Sequence, residues 1–307
     1  MKCLCFIVLL AIVIAQSYVG VEAAPSDGFV SRNGVQFILN GKPFYANGFN
    51  AYWLAYEATD PATRFKITNV FQNATSLAEA KRVGIKLIIP LVNNWDDYGG
   101  KKQYVDWARS KGEMVSSNDD FYRNPVIKEF YKNHVKTMLN RVNTFTKVAY
   151  KDEPASMASA YERATMRFDP NHLLSTGHEG FYGDSSPERK NSLNPVSANT
   201  VGADFIANHN IDAIDFASMH CGSDLWFQRL DQNSRLAFIK RWLEGHIEDA
   251  QNNLKKPVIL AEFGLGSDTP RYTLTNRDGV FTTTYDIIYD ICAKRRLGRG
   301  SIVLGGY

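Results

Sequence analysis

The stretch Pro257–Gly264, Pro-Val-Ile-Leu-Ala-Glu-Phe-Gly, is the clearest indication of both a fold and a site. Its four apolar residues Val258–Ala261 follow a proline and precede a glycine, which is typical of a short buried strand in a parallel sheet. The run leads directly into Glu262, whose carboxylate is costly to bury and adds nothing to a core. In barrels of parallel strands, catalytic groups lie at the carboxyl ends of the strands. We therefore interpret Glu262 as a candidate catalytic carboxylate, with a salt-bridged strand-end glutamate as the alternative.

The first 24 residues have the composition of a secretory signal peptide. Lys2 precedes the apolar stretch Cys3–Ala15, and Val21-Glu22-Ala23 resembles a cleavage site with small residues. The apolar stretch is short for a membrane span, although a signal anchor is the alternative. We therefore expect a secreted, extracellular protein of residues 25–307, with one α/β domain and no membrane segment after cleavage.

Charge and cysteine content exclude several classes of function. The net charge of +3 is too small to indicate nucleic-acid binding. Once the leader is removed, Cys221 and Cys292 remain, and the sequence leaves open whether they pair. The sequon Asn73-Ala74-Thr75 predicts glycosylation at Asn73, in agreement with secretion. We expect a monomer.

Strands and helices alternate along the chain, which indicates an α/β fold with a parallel sheet. Asn40-Gly41 between two apolar runs predicts a β-hairpin that plugs the bottom of a barrel. Helices are expected at 60–75, Leu77–Val83, Asn124–Phe145, Ala155–Phe168, Asn233–Asn252 and Thr282–Lys294. Six barrel strands are expected, at Ala46–Asn50, Ile85–Val92, His172–Thr176, Ile211–Met219, Val258–Ala261 and Ser301–Leu304.

Polar and aromatic residues follow these strands. Asn50 and Trp53 follow the first, and Asn94 and Trp95 follow the second. Rings and amides at strand ends suit a sugar ligand, with ordinary packing as the alternative. His220 ends the strand before that of Glu262 and could orient this carboxylate, or it could be a satisfied core histidine.

Other chemistries have no counterpart in the sequence. We find no metal-ligand spacing, no phosphate-binding glycine loop and no serine nucleophile elbow, so we expect neither metal nor cofactor. Carboxylate chemistry in an aromatic cleft remains, and this favours glycoside hydrolysis. A retaining hydrolase needs a nucleophile, for which Glu262 is suited, and a second carboxyl group as general acid and base.

Over nearly the whole mature chain, the sequence resembles the plant-type endo-β-1,4-mannanases of glycoside hydrolase family 5. The matching segments are Gly34–Ala58, Leu91–Trp107, Glu179–Gly183, Asp215–Trp226 and Pro257–Gly264. The resemblance implies a (β/α)8 TIM barrel that hydrolyses mannan, glucomannan and galactomannan of cell walls. It implies that Glu262 is the nucleophile, that His220 supports it, and that Asn50, Trp53, Asn94, Trp95 and Trp226 bind substrate.

The sequence also departs from the family pattern. The Arg-Thr-Trp segment of the second barrel strand and the Asn-Glu-Pro segment of the fourth, which bears the acid/base, have no counterpart, and the last strand is truncated. Gly222 stands where the family has a tyrosine. A tripeptide with similar residue types is present at Asp152-Glu153-Pro154. In the family, however, this position corresponds to an exposed loop, so Glu153 is a doubtful substitute for the acid/base.

Three hypotheses follow for this truncated or pseudogene-like family member. It is an endo-β-mannanase with impaired turnover, an inactive mannan-binding remnant, or a non-functional product that makes no stable fold. The sequence leaves open whether the chain is an enzyme.

Overall fold

The computed structural model describes residues 28–49, 75–92, 94, 96, 100–154, 156–159, 169, 171–294 and 302–306. The predictions for the leader, for the helix at 60–75, and for Asn50, Trp53, Asn73 and Trp95 lie outside this range, as does the side chain of Cys292.

The described chain begins with a small antiparallel sheet of three strands. These are β1 (Ser31–Asn33), β2 (Gln36–Leu39) and β3 (Lys42–Pro43). The predicted hairpin is confirmed: Asn40 and Gly41 both have positive φ, as a tight two-residue turn requires. Phe37 is fully buried and packs with Phe216 and Ile259, which lie at the amino-terminal ends of two barrel strands. The hairpin therefore covers that end, as the sequence predicts.

Four parallel strands form the sheet that carries the candidate site. They are β4 (Asn47–Phe49), β7 (Ala217–Cys221), β8 (Val258–Phe263) and β9 (Ile302–Gly306), in the order β4-β9-β8-β7. The register pairs Asn47 with Leu304, so strands from the two ends of the described chain lie side by side. The strand expected to be truncated is thus a five-residue strand between β4 and β8.

A second parallel pair consists of β5 (Leu87–Pro90) and β6 (Ser156–Ser159). The prediction of a helix over Ala155–Phe168 is wrong at Ser156–Ser159, and residues 160–168 lie outside the described range. Helix propensity is a weak local preference, and the edge of β5 offers backbone hydrogen bonds to an extended segment there.

His172–Thr176 was also expected to be a barrel strand, and no regular strand is formed there. The segment is nevertheless held beside β7, because the Leu174 carbonyl accepts a hydrogen bond from the Asp215 backbone N–H at 2.8 Å. The Leu174 N–H in turn donates to the carboxylate of Asp215 at 3.0 Å. The Asp215 carboxylate thus accepts the hydrogen bond that a backbone carbonyl would accept in a regular parallel sheet.

The described helices are α1 (Thr75–Val83), α2 (Lys101–Ser110), α3 (Pro125–Asn140), α4 (Pro187–Leu193), α5 (Phe205–His209), α6 (Ser223–Trp226), α7 (Gln232–Asp249) and α8 (Leu274–Lys294). The predicted start of α3 is confirmed: Asn124 accepts hydrogen bonds from two backbone N–H groups and Pro125 is the first helical residue. This helix ends at Asn140, five residues before the predicted end. No helix in the described part of the chain is long and apolar enough to span a membrane.

Candidate active site

The side chain of Glu262 emerges at the carboxyl end of β8. Val258, Ile259 and Leu260 at the start of this strand are buried, whereas the Glu262 side chain is 38% exposed. The ladder with β7 has an irregularity between Met219 and His220, after which His220 pairs with Glu262. Irregularities of this kind redirect side chains next to functional sites. The sequence therefore predicts both the strand and the open position of Glu262, and the structure adds the bulge that brings His220 opposite.

His220 lies between two carboxylates. Its Nδ1 atom is 3.4 Å from Glu179 Oε2 and 3.5 Å from Glu262 Oε2. Both contacts are at the outer limit of a hydrogen bond, and neither has hydrogen-bond geometry, so we treat them as charge interactions. The arrangement joins Glu179, His220 and Glu262 into one cluster at the carboxyl ends of β7 and β8.

Glu179 is the member of this cluster that sequence reasoning missed as a site residue. It belongs to a segment that matches the family pattern, but nothing in its spacing assigned it a role. Its backbone carbonyl accepts a hydrogen bond from the His220 N–H at 2.9 Å, which fixes the segment beside β7. Its side chain is 36% exposed, so its carboxylate is open to a ligand.

The carboxylates change the protonation of His220. Burial of the imidazole lowers its pKa, but the contact with Glu179 and the negative charges of Glu179 and Glu262 outweigh this effect. The net result is a pKa above the ordinary value of histidine, which favours the imidazolium form. A positive charge between two carboxylates reduces their mutual repulsion.

The backbone around His220 and Glu179 is held from the side of α7. Trp242 is fully buried and its Nε1–H donates to the His220 carbonyl at 2.7 Å. Gly180 has a φ of +103°, and an added Cβ would lie 2.9 Å from the Met219 Cβ. Only glycine fits this position, because both the backbone conformation and the space exclude a side chain.

Two further histidines lie behind the cluster as neutral groups. His209 is fully buried; its Nδ1 donates to the Phe205 carbonyl, and its Nε2 accepts from the Ser218 N–H at 3.2 Å. Burial and the charge of His178 lower the pKa of His209 to about 3. Burial and the charge of His220 lower the pKa of His178 to about 4. His178 and His209 are therefore neutral histidines next to the charged His220.

Trp226, expected to bind substrate, lies at the end of α6 and is half-buried. Its ring centroid is 5.1 Å from that of Phe181 and 5.2 Å from that of Trp242. A Cβ at Gly222 would lie only 3.2 Å from this indole. The glycine at the family's tyrosine position thus makes room for Trp226 over the backbone next to His220.

Asn94 lies in the polar loop after β5. It is half-buried, and its Oδ1 accepts a hydrogen bond from the Tyr122 hydroxyl at 3.3 Å. This contact orients the amide, and the predicted role in substrate binding stays a prediction.

The structure places Glu153 away from Glu262. Glu153 precedes the amino-terminal end of β6, whereas Glu262 lies at the carboxyl-terminal end of β8. Its side chain is completely buried, and Oε1 lies 3.3 Å from Lys81 Nζ. A carboxylate can be buried when a cation compensates it, and local sequence does not reveal such a partner.

Cys221 follows His220 on β7 and is a buried free thiol. Burial and the negative charge of Asp224 raise its pKa to about 12. The thiol is therefore protonated and packs as a small apolar group.

Comparison with known proteins decides the family. A family model described as glycoside hydrolase family 5 β-mannosidase-like matches residues 70–165 and 159–303. This chain belongs to glycoside hydrolase family 5. The family-5 chain is 80% identical over 362 aligned residues to an Arabidopsis thaliana protein provisionally named mannan endo-1,4-beta-mannosidase P, with 98% of this chain and 89% of that protein covered. It is 56% identical to mannan endo-1,4-beta-mannosidase 3 of the same plant, with 98% and 88% covered.

A solved structure with the same fold supports this assignment. The endo-1,4-beta-D-mannanase of Thermotoga petrophila is 30% identical, with a TM-score of 0.61 over 76% of this chain and 67% of that chain. The family-5 chain therefore has the (β/α)8 barrel fold. The alignment with the first relative runs over 362 positions, whereas this chain has 307 residues. That relative thus carries residues within the aligned region that this chain lacks.

Proposed function

We propose that this family-5 chain is an endo-acting hydrolase of β-1,4-mannosidic linkages in mannans, glucomannans and galactomannans. Glu262 is the nucleophile of a retaining mechanism, and His220 lies beside its carboxylate and orients it. The observation that carries the proposal is the partly exposed carboxylate of Glu262, which lies at the end of β8 with His220 at 3.5 Å. The names of the relatives, which are mannan hydrolases, support the substrate class.

We expect this turnover to be slower than that of a family member with the complete motif set. The sequence lacks the Asn-Glu-Pro segment that bears the family's acid/base, and Glu153 of the similar Asp152-Glu153-Pro154 is turned toward Lys81. Loss of a positioned general acid typically lowers a rate by about 10²–10⁴-fold. A second candidate function, mannan binding without turnover, rests on the same observation.

The test measures oligosaccharide release from glucomannan by the wild type, Glu262→Gln and a matched control. Glu244→Gln serves as the control, because Glu244 is an exposed carboxylate on α7. We expect the wild type and the control to release manno-oligosaccharides and Glu262→Gln to release none. Retarded migration in a mannan gel without any release would support the binding function instead, and neither release nor retardation would contradict both.

We further propose that the chain acts outside the cell as a monomeric glycoprotein. The leader of residues 1–24 supports secretion, and the sequon at Asn73 supports glycosylation. On expression in a plant secretory system, we expect the mature chain to begin at residue 25 and to lose mass on enzymatic deglycosylation. An uncleaved leader in cell-associated protein would contradict it.

A further inference from the structure

The cluster around His220 contains a carboxyl group to which the mechanism above gives no task. A retaining hydrolase needs a proton donor for the departing sugar oxygen as well as a nucleophile. Glu153 lies at the amino-terminal end of its strand and is fully buried against Lys81. The donor must therefore be another group that opens onto the same side of the barrel as Glu262.

The contacts of Glu179 and Glu262 with His220 set an upper limit on the distance between the two carboxyl groups. The Oε2 of Glu179 and the Oε2 of Glu262 lie 3.4 and 3.5 Å from the same atom, Nδ1 of His220. Two oxygens that contact one atom at these distances cannot be more than about 7 Å apart. Glycosidase carboxyl pairs are about 5–5.5 Å apart in retaining enzymes and about 6.5–9.5 Å apart in inverting ones. The pair Glu179 and Glu262 therefore lies within the reach of this chemistry.

The exposure of both carboxylates and the fixed backbone of Glu179 also favour Glu179 as the donor. More than a third of each side chain is exposed, so a sugar ring could touch both. The backbone of Glu179 is fixed by its hydrogen bond from His220, and the neighbouring Gly180 is packed against β7 and α7. The carboxylate of Glu179 is thus partly open to solvent on a fixed backbone, as a positioned general acid and base requires.

We infer that Glu179 is the second catalytic carboxyl group of this chain and serves as its general acid and base. This inference rests on the proposed mannan hydrolysis. In the first step, the enzyme form in which Glu179 has taken up a proton from solvent gives this proton to the glycosidic oxygen, the bond between that oxygen and the anomeric carbon breaks, and Glu262 bonds to this carbon. In the second step, Glu179 takes a proton from water, and the water oxygen displaces Glu262 from the anomeric carbon. Both carboxyl groups then have their starting protonation states.

The experiment separates proton donation from other roles by the choice of leaving group. Wild type, Glu179→Ala, Glu179→Gln and the control Asp184→Asn are assayed on glucomannan and on 2,4-dinitrophenyl β-mannobioside, with and without azide. Asp184 is a fully exposed carboxylate on the same segment, paired with Lys190 at 2.7 Å. The dinitrophenolate departs without a proton, so its release does not need the general acid. Near-UV circular dichroism and thermal unfolding show whether each variant is folded.

We expect Glu179→Ala to lose about 10²–10⁴-fold of the glucomannan activity of the wild type. Formation of the glycosyl-enzyme from the dinitrophenyl substrate should change little, and azide should accelerate turnover and yield β-mannobiosyl azide. Asp184→Asn should match the wild type.

Two results would overturn the inference while leaving the proposed function intact. One is a Glu179→Ala variant as active as the wild type on glucomannan. The other is a folded variant that loses both activities equally and does not respond to azide, which indicates positioning. A folded wild type that cleaves neither substrate would overturn the proposed function as well.

Discussion

At the scale of single residues, one imidazole lies between the two carboxylates of the site. The Nδ1 atom of His220 faces both Glu179 and Glu262, and its raised pKa favours the charged form. Replacement of His220 by glutamine removes this charge without a large change in volume. We expect kcat on glucomannan to fall about 10–100-fold, because the charge that faces both carboxylates is lost, and unit charges about 4 Å apart near a protein surface attract by up to about 4 kcal/mol before screening by salt. His134→Gln, on the outer part of α3, is the control, and unchanged kcat in His220→Gln would contradict the account.

Protonation of buried histidines should also limit stability in acid. His178 and His209 have folded pKa values of about 4 and about 3, below the unfolded value of about 6.5. The unfolded chain therefore binds protons first, and stability falls as the pH drops below about 6.5, by about 1.4 kcal/mol for each pH unit between the two pKa values.

The ionisation of His220 has the opposite effect on the pH dependence of stability. Its folded pKa is raised, so its contribution to stability is complete below about pH 6.5 and is lost as the pH rises through the folded value. Thermal unfolding from pH 4 to pH 8 tests both effects. We expect the midpoint at pH 4 to be lower than at pH 6.5, and His220→Gln to flatten the decline on the alkaline side. A midpoint that does not change over this range would contradict the assignment of neutral, buried His178 and His209.

At the scale of elements, the segment that follows Thr176 depends on Gly180. A Cβ at Gly180 would meet Met219 at 2.9 Å and His246 Nε2 at 3.1 Å, whereas one at Gly202 would meet nothing within 4 Å. Both glycines have positive φ, so Gly180→Ala and Gly202→Ala share the backbone strain and differ in packing. We expect Gly180→Ala to lower the free energy of unfolding by about 1–3 kcal/mol more than Gly202→Ala does. Equal losses in urea titrations would show that the close packing at Gly180 has no energetic weight.

The contact between α1 and the segment before β6 provides a second test. Glu153 is completely buried, and Lys81 at 3.3 Å is 38% exposed. Lys81→Met leaves the buried carboxylate with less compensation, so we expect a loss of about 1–3 kcal/mol, below that of a fully enclosed pair because water screens Lys81. Lys136→Met on α3, which removes an exposed lysine, should change stability by less than about 0.5 kcal/mol. A loss no larger than that of the control would show that Glu153 is stabilised without Lys81.

Helices, strands and turns were predictable from the sequence where they depend on neighbouring residues alone. The cap of α3, the hairpin at Asn40-Gly41 and the apolar strand before Glu262 all follow from residues adjacent in sequence. The strand at Ser156–Ser159 was not predictable, because its partner is β5, about 70 residues earlier. The contact of Glu179 with His220 and the burial of Glu153 were missed for the same reason: each depends on residues brought together only by the fold.

At the scale of the whole molecule, the buried apolar residues of the described chain form a larger cluster beneath His220 and Glu262 than elsewhere. The largest buried cluster lies around α7, β7 and β8 and includes Trp242, Leu243 and Phe263. It packs directly beneath the strands that carry His220 and Glu262. A separate cluster joins α2 and α3 to Leu91 and Leu174. The side of the barrel that carries His220 and Glu262 thus has the larger core.

The central claim is that Glu262 attacks the anomeric carbon of a β-mannoside. The most direct measurement treats the folded wild type and Glu262→Gln with 2-deoxy-2-fluoro-β-mannosyl fluoride, followed by intact-mass spectrometry and peptide mapping. Fluoride departs with little help from a general acid, so the test does not depend on the missing family motif. We predict one covalent mannosyl adduct on the wild type, located at Glu262 within Pro257–Gly264, and none on Glu262→Gln. No adduct on the wild type, or an adduct at another residue, would contradict the account.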